Sequence, residues 1–203
     1  MSSPPRNLNA PDHSVLARVS NVIAVSSCKG GVGKSTVSVN MAQALAGRGL
    51  RVGVLDADIY GPSLQHFLRY EDLTVYKSSS KPNHILPLQA TCGLKTMSFG
   101  FVNSNSGVRG AGGKGAAVMR GPIASKVINQ LLCATEWGEL DYLIIDMPPG
   151  TGDIQIALSQ SAFFTGAVIV TTPHALSIMD VAKGVEMFDE VKIPILGVVV
   201  NLD

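Results

Sequence analysis

An α/β fold with a mainly parallel sheet and helices on both faces is what this sequence predicts, and three observations carry that prediction. Short apolar strands alternate with helical stripes, and each crossover is long enough to be right-handed. A glycine-rich loop joins an apolar strand at 22–25 to a helix starting near Lys34. Later strands end in acids at Asp56 and Asp146, at the carboxyl edge where open α/β sheets bind ligands. With 203 residues and 46% hydrophobic content, the chain can bury one substantial core.

The loop is Cys28-Lys29-Gly30-Gly31-Val32-Gly33-Lys34-Ser35-Thr36. Its glycines let backbone N–H groups turn inward without a Cβ clash, so loop and first helical turn together form a concave phosphate site. Lys34 supplies the point charge for a triphosphate, and Ser35 stands where the P-loop pattern puts a hydroxyl on Mg²⁺. The usual pattern has glycine where this chain has Cys28; Gly30, Gly31 and Gly33 still give the loop its freedom, and Cys28 reads as a small filler. Lys29 is a second lysine at the mouth of the loop, and one phosphate cradle does not require it.

Beyond the loop, Val37, Met41 and Leu45 recur every four residues and predict a buried helical stripe ending at Gly47-Arg48-Gly49. A strand at 51–55 delivers Asp56-Ala57-Asp58, followed by the turn Tyr60-Gly61-Pro62-Ser63. Of these two carboxylates, Asp56 is assigned to Mg²⁺ and Asp58 to the attacking water. Residues 71–81 are polar and lead to peripheral strands at 85–89 and 94–98; residues 103–115, rich in glycine and serine, read as a mobile surface loop.

Pro122 opens a helix with Ile123, Val127, Leu131 and Ala134 on one side, and Trp137 is expected to cap a satellite cluster. The strand at 142–145 ends in Asp146, a Walker B acid that reaches Mg²⁺. In Met147-Pro148-Pro149-Gly150-Thr151-Gly152-Asp153, prolines stiffen the chain before glycines release it. This predicts a switch in which an N–H of Gly150 or Thr151 contacts the γ-phosphate. A strand at 167–171 is followed by a helix after Pro173, with Ile178, Val181, Val185 and Phe188 inward. The last strand, 195–200, ends at Asn201, placed beside the nucleotide base.

Net charge +1 with 15% charged residues and no basic run argues against a nucleic-acid surface. Apolar runs such as 193–200 are far short of the ~20 residues a membrane helix needs. Three widely spaced cysteines, none in a Cys-x-x-Cys, suit a reducing compartment, and Cys92 and Cys133 read as core thiols. The four histidines lack metal-ligand spacing, so zinc is not expected. Residues 1–20, with Pro4, Pro5 and Pro11, read as a flexible lead-in without the apolar core of a secretory signal.

The Lys-Gly-Gly-x-Gly-Lys-Ser loop resembles the deviant Walker group of P-loop NTPases, which includes the nitrogenase iron protein and the partition ATPases. In that group the extra lysine reaches the partner's nucleotide, so the resemblance implies a homodimer completed by Lys29. Ser26-Ser27-Cys28, Asp56-Ala57-Asp58-Ile59-Tyr60-Gly61-Pro62-Ser63, Met119-Arg120-Gly121-Pro122, the segment 137–153 and Thr171-Thr172-Pro173 bring it closer to the Mrp/ApbC-type iron-sulfur carriers. Within these, the run Ile128-Asn129-Gln130-Leu131-Leu132 to Leu140 looks most like the chloroplast high-chlorophyll-fluorescence branch.

The resemblance implies a three-layer fold like the nitrogenase iron protein. It also implies a weak Mg²⁺-dependent ATPase that carries a [4Fe-4S] cluster and hands it to apoproteins, working with assembly factors. Many members hold the cluster with a Cys-x-x-Cys soon after the strand that ends here at Asn201. This sequence stops at Asp203, so the ATPase domain is expected at 21–203 without its C-terminal part and the iron-sulfur ligands stay unassigned. Chloroplast, mitochondrion and cytosol remain open as compartments. The alternatives are a partition-type positioning ATPase without a cluster, which shares the loop, and a nucleotide-binding fragment without turnover.

Overall fold

Strand β1 (Val19–Ser26) lies inside the sheet because residues 22–26 are buried without the alternation a half-exposed strand would show. The computed structural model describes residues 13–104, 121–159 and 162–202. A 3-10 helix, His13–Arg18, precedes β1, and its Leu16 packs on the core; the earlier part of the segment read as a flexible lead-in lies outside the described residues.

The remaining strands are β2 (Val52–Asp56), β3 (Leu88–Gln89), β4 (Lys95–Ser98), β5 (Leu140–Asp146), β6 (Gly166–Thr171) and β7 (Ile195–Val200). They form one seven-stranded sheet in the order β3-β4-β2-β5-β1-β6-β7. Every pairing is parallel except β3 with β4. Helices α1 (Lys34–Ala46), α2 (Leu64–Phe67), α3 (Phe99–Ser104), α4 (Gly121–Ala134), α5 (Asp153–Ser159) and α6 (Ala175–Glu190) alternate with the strands, as expected for three-layer α/β architecture. No helix among the described residues is long and apolar enough to cross a membrane.

Several elements differ from the sequence reading. The strand expected at 85–89 shrinks to Leu88–Gln89, because Pro87 has no N–H to give a ladder; Ile85 makes only isolated bridges to Lys77 and Thr135. Helices α2 and α3 are too short to leave a periodic signature. In α4 Leu131 is buried as expected and Val127 and Ala134 are half-buried, but the stripe centres on Ala124, Ile128, Leu132 and Cys133, and Ile123 is exposed. In α6 the inward line includes Ser177 and Gly184, which an apolar pattern overlooks, while Ile178 is exposed.

Trp137 is not a satellite: it is fully buried in the main core, and its Nε1 donates to the Leu132 carbonyl at 3.1 Å. Gly53 keeps this part of the core open, since a Cβ there would lie 2.7 Å from Leu140 Cδ1 and 3.2 Å from the indole. Cys133 is buried as expected, but Cys92 is exposed in a turn before Gly93. β7 forms a sheet edge, with Leu196, Val198 and Val200 all exposed. The loop expected at 103–115 lies outside the described residues beyond Ser104, as do Met119 and Arg120.

Candidate nucleotide site

The chain leaves β1 and turns through Gly31 and Gly33, both at φ 81°, a left-handed conformation that disfavours any side chain. Gly33 is the N-cap of α1 and provides no side-chain acceptor, so the N–H groups of the first turn are left facing the loop. Ser27 tightens the entry, its hydroxyl donating to the Lys29 carbonyl at 3.0 Å. Cys28 is half-buried, Val32 is buried, and Lys29, Gly30, Gly31 and Thr36 are exposed.

Lys34 is only 7% exposed, and its Nζ lies 2.5 Å from Asp146 Oδ1 and 3.3 Å from Ser35 Oγ. The hydroxyl of Ser38, one turn further along α1, approaches the same Oδ1 at 2.8 Å. Strands β2 and β5 pair so that Asp56 and Asp146 are register partners at their carboxyl ends. Two buried carboxylates therefore sit side by side with one lysine between the loop and the sheet.

Asp56 is 1% exposed. It accepts N–H bonds from Asp58 at 3.1 Å, Ser63 at 2.9 Å and Leu64 at 3.2 Å, and the Ser98 hydroxyl lies 3.3 Å away. All these donors are neutral. Burial, and then the charge of Asp146, push its carboxyl up to about 6 despite the N–H bonds. Hard oxygen donors with more negative charge than the protein neutralises suit a divalent cation such as Mg²⁺, so Ser35, Asp56 and Asp146 fit that ion chemically.

Asp58 is half-buried and serves its own turn: Oδ1 accepts the N–H groups of Tyr60 at 3.2 Å and Gly61 at 3.1 Å. Gly150, at φ 102°, donates its N–H to the Ser27 carbonyl at 2.8 Å, so a phosphate contact through that N–H requires this bond to open. Gln155 latches the same segment, its Nε2 donating to the carbonyls of Pro148 at 3.2 Å and Pro149 at 2.7 Å. Asn201 closes the loop from the edge of the sheet, donating through Nδ2 to the Val32 carbonyl at 2.9 Å.

Sequence reasoning missed Ser38, Ser98 and Gln155. The available signal for Ser38 was a polar residue on the inward face of α1, one turn past Lys34; Ser98 ends the strand next to Asp56. Gln155 follows the proline-glycine segment closely, but nothing in the pattern tells a latch from a surface amide.

Helix α6 approaches the loop at Gly184, where a Cβ would meet Cys28 Sγ at 2.7 Å. Burial pushes the Cys28 thiol up, against the lowering effect of a Gly184 backbone hydrogen bond. Gly184→Ala should therefore lose about 1–3 kcal/mol despite alanine's better helix propensity. Cys28→Ala in the same chain should restore most of it, as read by urea denaturation; a double variant no more stable than Gly184→Ala alone rules the contact out.

A family model described as "ParA: NUBPL iron-transfer P-loop NTPase" matches residues 18–203. The chloroplastic Fe-S cluster assembly factor HCF101 of Arabidopsis thaliana is 57% identical over 187 residues, covering 92% of this chain and 33% of that protein. The iron-sulfur cluster carrier protein of Haemophilus influenzae is 52% identical over 184 residues, covering 91% of this chain and 47% of its own length. The chain thus spans between a third and a half of these relatives. The cell division ATPase MinD of Pyrococcus furiosus shares the fold, with a TM-score of 0.63 at 23% identity over 89% of this chain and 71% of that one. A nucleotide-binding protein from Archaeoglobus fulgidus, solved in complex with ADP, superposes with a TM-score of 0.78 at 36% identity, covering 96% of this chain and 72% of that one. Sequence and shape agree over nearly the whole of its described length, and the chain belongs to the ParA-type NUBPL iron-transfer P-loop NTPase family.

Proposed function

We propose that this chain binds and hydrolyses ATP at the loop and that turnover gates the handling of a [4Fe-4S] cluster destined for apoproteins. The observation that carries the ATPase reading is the buried Lys34–Asp146 pair, which joins the phosphate loop to the Walker B strand at 2.5 Å. A lysine stored on that acid is within reach of both the loop and the carboxyl edge of the sheet. On this reading Lys34 leaves Asp146 for the β and γ phosphates, while loop N–H groups from Lys29 to Thr36 cradle them.

Ser35, Asp56 and Asp146 would hold Mg²⁺, which would supply positive charge against the phosphate oxygens as negative charge builds on the leaving group. Asp58 orients the water that attacks the γ-phosphorus as the bond to the β,γ-bridging oxygen breaks, giving ADP and phosphate. Lys29, exposed at the mouth, would complete the site of a second copy in a homodimer. The base takes the groove beside Thr36, Asn40 and Asn201, an open cavity of about 560 Å³ with apolar walls from α1 and β7. Freed from Ser27, the Gly150 N–H reports the γ-phosphate to α5 through the Gln155 latch.

The cluster reading draws support from the iron-transfer family and from relatives named as iron-sulfur carriers and assembly factors. Among the described residues no group of three or more His, Cys, Asp or Glu is placed to hold a metal ion, so this half of the proposal stands on kinship. The test is ATP turnover with and without Mg²⁺, beside anaerobic reconstitution with iron and sulfide read by visible absorbance and iron content. Transfer to an apo-ferredoxin follows in the presence of ATP or ADP. Expected are Mg²⁺-dependent turnover, bound iron, and transfer that differs between the two nucleotides. Lack of Mg²⁺-linked affinity for adenine nucleotides overturns the ATPase; turnover with no iron uptake overturns the carrier.

A further inference from the structure

We infer that Ser38 is a positioning residue of the phosphate site: its hydroxyl holds Asp146 in place once Lys34 has moved to the nucleotide. The inference rests on the ATPase reading above and adds a residue to it.

Ser38 has no exposed surface and stands between the buried Val39 and the half-buried Val37, so its hydroxyl has no access to water. Its hydroxyl has two acceptors in range, the Lys34 carbonyl at 3.0 Å and Asp146 Oδ1 at 2.8 Å. A hydroxyl has one proton to donate, and an ionised carboxylate is the stronger acceptor. The Lys34 carbonyl, one helical turn back, is the alternative acceptor for the same proton and the weaker of the two while Asp146 is ionised.

Both contacts to Asp146, from Lys34 and from Ser38, fall on Oδ1; Oδ2 takes none among the described residues. The carboxylate is therefore gripped on one oxygen and open on the other, the arrangement needed by an acid that must offer an oxygen to a hydrated cation. The two grips are not equivalent. Lys34 has a long, flexible stem and cannot neutralise Asp146 and a triphosphate at the same time. Ser38 has a single rotatable bond and sits on a helix packed against β1, β2, β5 and β6, so it stays when the ammonium leaves.

At that moment Asp146 is 3% exposed and next to the Asp56 carboxylate, with its cation gone. Ser38 is then the donor that keeps Oδ1 satisfied and Oδ2 aimed. Outer-sphere partners of this kind typically account for about 10–100-fold in metal affinity or activity.

The test is Ser38→Ala and Ser38→Thr, with affinity for a fluorescent ADP analogue titrated with and without Mg²⁺, the Mg²⁺ half-saturation of ATP turnover, and the thermal midpoint without ligands. Ser38→Ala should leave the Mg²⁺-free affinity within about 2-fold and raise the Mg²⁺ half-saturation about 10-fold or more. Ser38→Thr, which keeps the hydroxyl, should fall near the wild type. A Ser38→Ala protein whose thermal midpoint drops while its Mg²⁺ dependence is unchanged makes the serine merely structural and overturns the inference. A wild-type chain with no Mg²⁺ dependence overturns the ATPase reading instead, so the two failures are distinct.

Discussion

Lys34→Met is expected to lower Mg²⁺-dependent ATP turnover by about 10²–10³-fold, the usual cost of removing one preorganised charge from a reacting centre. The same change should destabilise the nucleotide-free protein by about 3–5 kcal/mol, because it leaves Asp146 buried without a counter-charge. In a domain of this size that is roughly 6–20 °C in thermal midpoint. Methionine keeps the length and most of the volume of the lysine stem, so the loss reads the charge and not a cavity.

The companion variant separates the two effects. Adding Asp146→Asn to Lys34→Met removes the orphaned charge while leaving an amide oxygen for the Ser38 hydroxyl, so most of the stability should return. Turnover should not return, since both the phosphate-binding cation and the Walker B acid are then missing. Equal stabilities for the single and double variants would show that Asp146 without its counter-charge costs the resting fold nothing. Calorimetry of the wild type, Lys34→Met, Asp146→Asn and the double variant closes the cycle.

How much of this site was legible in the sequence follows from what kind of signal each residue leaves. Lys34, Ser35 and the loop glycines are visible because phosphate chemistry demands those residue types at fixed spacing. Asp56 and Asp146 are visible because each ends an apolar run. Their adjacency is not visible: it comes from β2 and β5 pairing directly, with β5 inserted between β1 and β2, and strand order leaves no local trace.

The misses have the same cause. Gly184 faces inward in α6 because the helix comes close to Cys28 and to Ile169 of β6, and closeness selects a small residue that an apolar periodicity does not count. Ser177 is buried on the same helix and is missed for the same lack of an apolar side chain. The contact that engages the Gly150 N–H is a backbone carbonyl, Ser27, which has no sequence signature at all. Gln155 is a long polar side chain turned inward, and residue type alone places such a side chain on the surface.

Nucleotide-free protein in a metal chelator should lose stability as pH rises from about 4 to about 6, through Asp56. Its carboxyl is pushed up from 3.8 to about 6, first by burial and then by the charge of Asp146. Between those two values the folded chain keeps a proton that the unfolded chain has released, so the unfolded state binds fewer protons and stability falls with pH. Above pH 6 both states are ionised and the loss is complete, at about 3 kcal/mol for a shift of about two units. That corresponds to roughly 6–12 °C in thermal midpoint for a domain of this size. Asp56→Asn has no proton to lose, and one amide oxygen remains for the N–H groups of Ser63 and Leu64. The informative quantity is the midpoint of Asp56→Asn minus that of the wild type, because any fixed cost of the amide cancels between two pH values. It should grow by roughly 4–8 °C from pH 4.5 to pH 7.5, since about 2 kcal/mol of the loss falls in that window. Adding Mg²⁺ with ADP should shrink that growth, because a cation on the paired carboxylates compensates the ionised Asp56. Parallel curves in the chelator would mean that the neutral donors around Asp56 already hold it ionised.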